Sequence, residues 1–119
     1  MKKCFVDTNI IIRYFVDSDQ KLLSLFETYD EIYIPLPIIF ETCFVLEKLY
    51  KIPRNKIFKE ITNLLLEEKV ISEDYVDEIL AMYKVKKSLS VVDCYTLIHS
   101  KNLNLTLETF DKDLLKQVS

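Results

Sequence analysis

Glycine is absent from all 119 residues. This removes the Gly-rich phosphate loop, the dinucleotide-binding fingerprint and the nucleophile elbow together, because each needs glycine for close backbone approach. Contact with a phosphate must then come from side chains, helix N-termini or a metal ion. The single histidine, His99, excludes an acid–base pair of two histidines and reads as a packed or surface residue of a helix. Three cysteines, Cys4, Cys43 and Cys94, stand singly in apolar runs. Their odd number and lack of metal-ligand spacing exclude a disulfide framework and a zinc cluster, leaving small buried hydrophobes. No apolar stretch approaches the ~18 residues that span a bilayer. The opening Cys4-Phe5-Val6 is cut by Asp7 too early for a signal peptide. The chain therefore reads as a soluble, cytoplasmic protein with no membrane partner.

Half of the residues are hydrophobic and 29% are charged. That balance and this length predict one globular domain over residues 1–119, with a single hydrophobic core. The net charge of −3 does not by itself announce nucleic-acid binding. Basic residues nevertheless cluster at Lys48, Lys51, Arg54, Lys56 and Lys59, and again at Lys84, Lys86 and Lys87. An acidic stretch runs from Glu67 to Glu78. Each run reads first as a solvated face, although a basic patch near an acidic site suits a polyanionic substrate.

The hydrophobic pattern alternates between strands and helices. Residues 3–6 predict a buried strand ending at Asp7, followed by a helix over 9–15. Residues 19–29 predict a second helix with Asp19 as N-cap. Residues 31–35 form a strand stopped by Pro35, and Pro37 opens a long helix to about Lys51. Pro53 opens a helix ending near Glu68, Val70-Ile71 is a third strand, and residues 75–86 and 90–101 are helical. A strand at Leu105-Thr106-Leu107 and a closing helix from Asp111 or Lys112 complete the series. Such alternation predicts an α/β domain around a mostly parallel sheet.

Four acids fall inside or at the end of apolar runs: Asp7, Glu41, Asp93 and Asp111. Burying an isolated carboxylate is costly unless a cation or hydrogen bonds compensate. Asp7 and Asp111 fall at the ends of predicted strands, where open α/β sheets place their ligand crevices. Each of the three aspartates also has a purely structural reading as a helix cap, with Ser90-Val91-Val92-Asp93 matching a capping box. Glu41 lies mid-helix among Pro37, Ile38, Phe44 and Val45, which predicts an apolar surrounding. An ion pair with Arg13 or a lysine is its structural alternative. Taken together, the four point to a shared divalent cation and to phosphate chemistry. Hard oxygen ligands select Mg²⁺ or Mn²⁺ over zinc.

The segments Phe5-Val6-Asp7-Thr8-Asn9, Phe40-Glu41-Thr42, Ser90-Val91-Val92-Asp93-Cys94 and Leu107-Glu108-Thr109-Phe110-Asp111 resemble, in order and spacing, the motifs of PIN-domain nucleases. The likeness is greatest to the small toxin ribonucleases of toxin–antitoxin pairs. The resemblance implies a three-layer α/β/α fold with a central parallel sheet. It implies that Asp7, Glu41, Asp93 and Asp111 are catalytic residues binding Mg²⁺ or Mn²⁺, supported by the polar Asn9 and Thr109. It further implies hydrolysis of RNA by a metal-activated water, a homodimer, and inhibition by a cognate antitoxin. Arg13, Lys84, Lys86 and Lys87 are candidates for holding the RNA backbone. Family members usually add a last edge strand, which is short or missing where this chain runs Lys116-Gln117-Val118-Ser119.

Three other readings compete. A haloacid-dehalogenase-like phosphatase would need a second acid two residues after Asp7, where Asn9 stands. A receiver domain would need a phosphorylatable Asp ending a middle strand, and Ile71-Ser72-Glu73-Asp74 matches this poorly. The third is a catalytically silent PIN module that binds RNA or protein. The apolar residues Phe15, Phe26, Tyr29 and Tyr33 read as core rather than interface.

Overall fold

A computed structural model describes residues 1–118. Its contacts gather into two compact units, Met1–Glu73 and Asp74–Ser119. The first unit holds strands β1 (Lys3–Phe5), β2 (Glu31–Tyr33) and β3 (Val70–Ile71), all parallel, in the order β1-β2-β3. Two helices, α1 (Thr8–Asp17) and α2 (Lys21–Thr28), connect β1 to β2. Helix α3 (Leu36–Phe44), a π-helical turn (Val45–Leu49) and α4 (Arg54–Leu65) connect β2 to β3. The second unit contains α5 (Val76–Val85), α6 (Val91–Asn102) and α7 (Lys112–Leu115), with α5 packed on α6. This is the predicted α/β class with its parallel sheet.

Strand periodicity decides which side chains go inward. Val6, Ile32 and Ile34 are fully buried, and the alternate residues Phe5 and Tyr33 are exposed. Ile11, Ile12, Leu22, Ile39, Ile57 and Ile61 complete the core of the first unit. In the second unit Ile79, Leu80, Tyr83, Cys94 and Leu97 are buried. The cysteines are free, with Cys43 and Cys94 buried and Cys4 half-buried, and burial pushes the Cys4 thiol up.

Several helix ends differ from the sequence expectation. Helix α2 begins one residue later than an Asp19 cap would place it. Asp19 Oδ1 instead accepts the Lys21 amide at 2.8 Å. The long helix after Pro35 slips into π register, with the Tyr50 amide reaching back to the Val45 carbonyl. Glu47, in the π-helical turn, sits beside Arg54, with Oε2 2.8 Å from Nε. Arg54 is only 7% exposed, so this ion pair compensates a buried guanidinium. Residues 105–107 form no strand: Leu105 is 61% exposed and the only described sheet has three strands. Its amide is spent on the Ser100 carbonyl, closing the end of α6 rather than joining a ladder. No strand follows α7 among the described residues, and Ser119 lies outside them. Phe15, Phe26 and Tyr29 are half-buried, and Tyr33 is exposed, so none of the four belongs to the core. Phe15 and Phe26 line the margin of a groove beside α1, α2 and α4, of about 350 Å³ at its wider end. No helix among the described residues is long and apolar enough to cross a membrane.

Without glycine, left-handed backbone positions fall to residues that carry a Cβ. Ser18 (φ 56°), Lys51 (φ 56°), Tyr75 (φ 68°) and Asn104 (φ 56°) take this conformation at or near helix ends. A left-handed residue with a Cβ is disfavoured by about 1–2 kcal/mol. Replacing Ser18 by glycine at the C-terminus of α1 should therefore raise stability by about 0.5–1 kcal/mol, less than the full strain because glycine also loosens the unfolded chain. Urea unfolding measures this, and a loss of stability would contradict the assignment. Glu47→Ala should lower stability by about 3 kcal/mol, because it removes a carboxylate that compensates a buried guanidinium. Arg54→Met should cost less, as the Glu47 carboxylate it leaves behind is 22% exposed and so reaches solvent.

Candidate metal and catalytic residues

The four acids divide between the two units, Asp7 and Glu41 in the first and Asp93 and Asp111 in the second. None is buried: Asp7, Glu41 and Asp111 are exposed and Asp93 is half-buried. The expectation of acids enclosed by apolar neighbours is thus corrected for all four. The aspartates escape the apolar runs because each sits where a strand or loop turns into a helix. Asp7 is the N-cap of α1, its Oδ1 accepting the Thr8 amide at 2.7 Å. Asp93 completes the capping box of α6: its amide donates to Ser90 Oγ, and its Oδ2 accepts the Ser90 amide, both at 3.0 Å. Asp111 is the N-cap of α7, its Oδ1 accepting the amides of Asp113 and Leu114 at 2.8 and 3.1 Å. Positive partial charge at helix N-termini favours carboxylates in all three places.

These bonds use only half of each carboxylate. Asp7 Oδ2, Asp93 Oδ1 and Asp111 Oδ2 accept no hydrogen bond among the described residues. A capping aspartate can thus keep one oxygen on backbone amides and offer the other to a cation.

Glu41 departs furthest from its expected setting. The buried stripe of α3 and the turn beyond it is Leu36, Ile39, Thr42, Cys43 and Leu46. Glu41 lies about 200° around the helix from Ile39, on the opposite side. Its neighbours there are apolar yet open, Phe44 being 59% exposed. Its side chain forms no ion pair or hydrogen bond among the described residues, so the alternative of a pair with Arg13 or a lysine is not realised.

Thr109 Oγ1 accepts the Asp111 amide at 3.0 Å and so fixes the turn that presents Asp111. Asn9 is exposed and its side chain makes no hydrogen bond among the described residues. Arg13, Lys86 and Lys87 are exposed and Lys84 is half-buried. Thr8 was missed by sequence reasoning. It is 6% exposed, and its Oγ1 is buried without a hydrogen-bond partner among the described residues. Its signal was its place between Asp7 and Asn9, in the polar turn between the apolar runs of β1 and α1.

Chemically the set suits Mg²⁺ or Mn²⁺: oxygen donors only, with free carboxylate oxygens on every aspartate. No group of three or more His, Cys, Asp or Glu side chains among the described residues is gathered for a metal ion. Comparisons with curated proteins and with solved structures returned no match. A sequence model of the PIN domain, however, matches residues 4–119. That match spans β1 through α7 and includes all four acids. The chain belongs to the PIN-domain family, whose members are generally metal-dependent nucleases.

Proposed function

We propose that this protein is an Mg²⁺- or Mn²⁺-dependent endoribonuclease acting as the toxin of a toxin–antitoxin pair, its single domain spanning residues 1–119. The observation that carries the reading is the family match over residues 4–119, which takes in the four acids and their flanking motifs. Asp7 and Asp93 are the proposed direct metal ligands, each through the oxygen its capping bond leaves free. Asp111, positioned by Thr109, holds a metal directly or through water. Glu41, with an unpartnered carboxylate, binds metal or orients the attacking water. A divalent ion held by these oxygens would supply Lewis-acid charge, lowering the pKa of water and neutralising charge on the phosphoryl oxygens. Attack of water on phosphorus with departure of the 3′-oxygen would leave a 5′-phosphate on one product. Arg13, Lys84, Lys86 and Lys87 are proposed to neutralise the flanking phosphates, with Asn9 supporting the polar rim.

An antitoxin and a second copy of the chain are the proposed partners. The half-buried Phe15 and Phe26 beside the groove of α1, α2 and α4 give a partner polypeptide apolar surface to cover. A cytoplasmic location fits an enzyme that acts on cellular RNA.

Asparagine caps helices about as well as aspartate, so amide substitutions separate the metal role from the capping role. Asp7→Asn and Asp93→Asn should lower metal-dependent RNA cleavage by at least about a hundredfold, the scale for loss of transition-state charge stabilisation. Unfolding midpoints should stay near wild type. Cleavage at the wild-type rate in either variant would refute the assignment. Binding of divalent metal should also raise thermal stability, by about 2.7 kcal/mol at a hundred times the dissociation constant. This gain should vanish in Asp7→Asn. Equal stabilisation of both proteins by Mn²⁺ would place the metal elsewhere.

A further inference from the structure

The backbone donors at the start of α3 can be accounted for one by one. Pro35 and Pro37 carry no N–H, and the amides of Ile38 and Ile39 both donate to the Pro35 carbonyl, at 3.0 and 3.2 Å. Leu36 is left as the first-turn donor without a partner inside its own helix. Its partner comes from far along the chain: Glu73 Oε2 accepts the Leu36 amide at 2.7 Å. Two further bonds join the same segments. The Ile34 amide donates to the Ile71 carbonyl at 2.9 Å, and Ser72 Oγ donates to the Ile34 carbonyl at 2.7 Å. The exit of β3 thus grips the entry of α3, entirely within the first unit.

Glu41 lies five residues beyond Leu36 on the same helix, about 7.5 Å along its axis. Its carboxylate has no hydrogen bond or ion pair among the described residues, so the α3 backbone decides where it goes. Apolar packing of α3 on α1 is non-directional, whereas a hydrogen bond to a carboxylate fixes both distance and direction. A roll of about 10° moves a group about 6 Å from the helix axis by about 1 Å. Misplacement on that scale costs roughly a hundredfold in rate. We propose that Glu73 is a positioning residue: by capping α3, which Pro35 cannot do, it holds Glu41 where RNA cleavage needs it. This rests on the ribonuclease reading above and adds a residue outside the four acids.

The test uses the full chain, Mn²⁺ and an end-labelled oligoribonucleotide. Glu73→Ala should lower kcat roughly 10- to 100-fold and leave KM within about twofold, as for a misplaced catalytic group. Glu73→Gln keeps a carbonyl oxygen for Leu36 and should recover most of the rate. Hydrogen exchange followed by NMR reads the bond itself. The Leu36 amide should exchange slowly in the wild type and in Glu73→Gln, and faster in Glu73→Ala. Because Glu73 acts through Glu41, the double variant Glu41→Gln/Glu73→Ala should cleave no more slowly than Glu41→Gln alone.

Fast Leu36 exchange in a folded Glu73→Ala with wild-type kcat overturns the proposal while the nuclease reading stands. Equal loss in Glu73→Ala and Glu73→Gln also overturns it, since the charge of Glu73 would then act on its own account. A further fall in the double variant does the same, because Glu73 would be acting on another group. Absence of cleavage by the wild-type protein removes the nuclease reading and this role together, and slow Leu36 exchange would then mark Glu73 as a cap alone. If Glu73→Ala does not fold, Glu73→Asp takes its place. Its carboxylate is withdrawn from Leu36 by one bond, about 1.5 Å, so kcat should fall. Wild-type kcat with fast Leu36 exchange in that variant overturns the proposal equally.

Discussion

The attraction between a carboxylate and the free amides at the start of a helix orients three of the four candidate metal-binding acids of this chain. Asp7, Asp93 and Asp111 each sit at such a place. Glu73 performs the same service across a longer loop, its Oε2 accepting the Leu36 amide at 2.7 Å where Pro35 offers no side-chain cap. A carboxylate held this way loses rotamer freedom yet retains a second oxygen. In a protein without glycine, no backbone loop can wrap a phosphate closely. Oriented aspartates that recruit a cation are an alternative route to phosphate chemistry, and the family to which the chain belongs uses metal-dependent hydrolysis.

The lack of glycine marks the backbone as well as the site. Ser18, Lys51, Tyr75 and Asn104 accept left-handed conformations that glycine would adopt without steric conflict. Compensation comes from burial and from local polar pairs. Leu22, Ile57 and Leu80 are almost wholly enclosed, and the Glu47–Arg54 pair ties the π-helical turn to α4. The turn itself is where regular periodicity fails, and with it the simple assignment of wet and dry faces.

The fold class was legible because each short strand is a compact apolar run with a clear stop, Asp7 after β1 and Pro35 after β2. The capping box at Ser90 and Asp93 was legible for a similar reason, since spacing alone specifies it. Burial of the acids was not legible. Apolar neighbours in sequence suggested enclosure, but Asp7 lies at an element boundary and Glu41 on an open helix face with Phe44. Sequence shows which residues adjoin; it does not show which apolar residues remain uncovered. The segment 105–107 failed in another way. Its strand-like composition needs a ladder partner, and its Leu105 amide is committed to the end of α6. Thr8 went unnoticed because a threonine at a helix start looks ordinary until its hydroxyl proves buried and unpartnered.

The rival phosphatase chemistry lacks its second acid at Asn9, and the family match favours a nuclease over a phosphotransfer enzyme. The central proposal is that Asp7, Glu41, Asp93 and Asp111 serve one metal centre. The most direct test is a titration with Mn²⁺ followed by NMR of the Asp and Glu side-chain carboxyl signals, which paramagnetic metal broadens at short range. The proposal predicts that these four signals disappear together at substoichiometric Mn²⁺, while those of Glu67, Glu68 and Asp77 persist. Broadening confined to one of the four, or spread evenly over all acids, would contradict it.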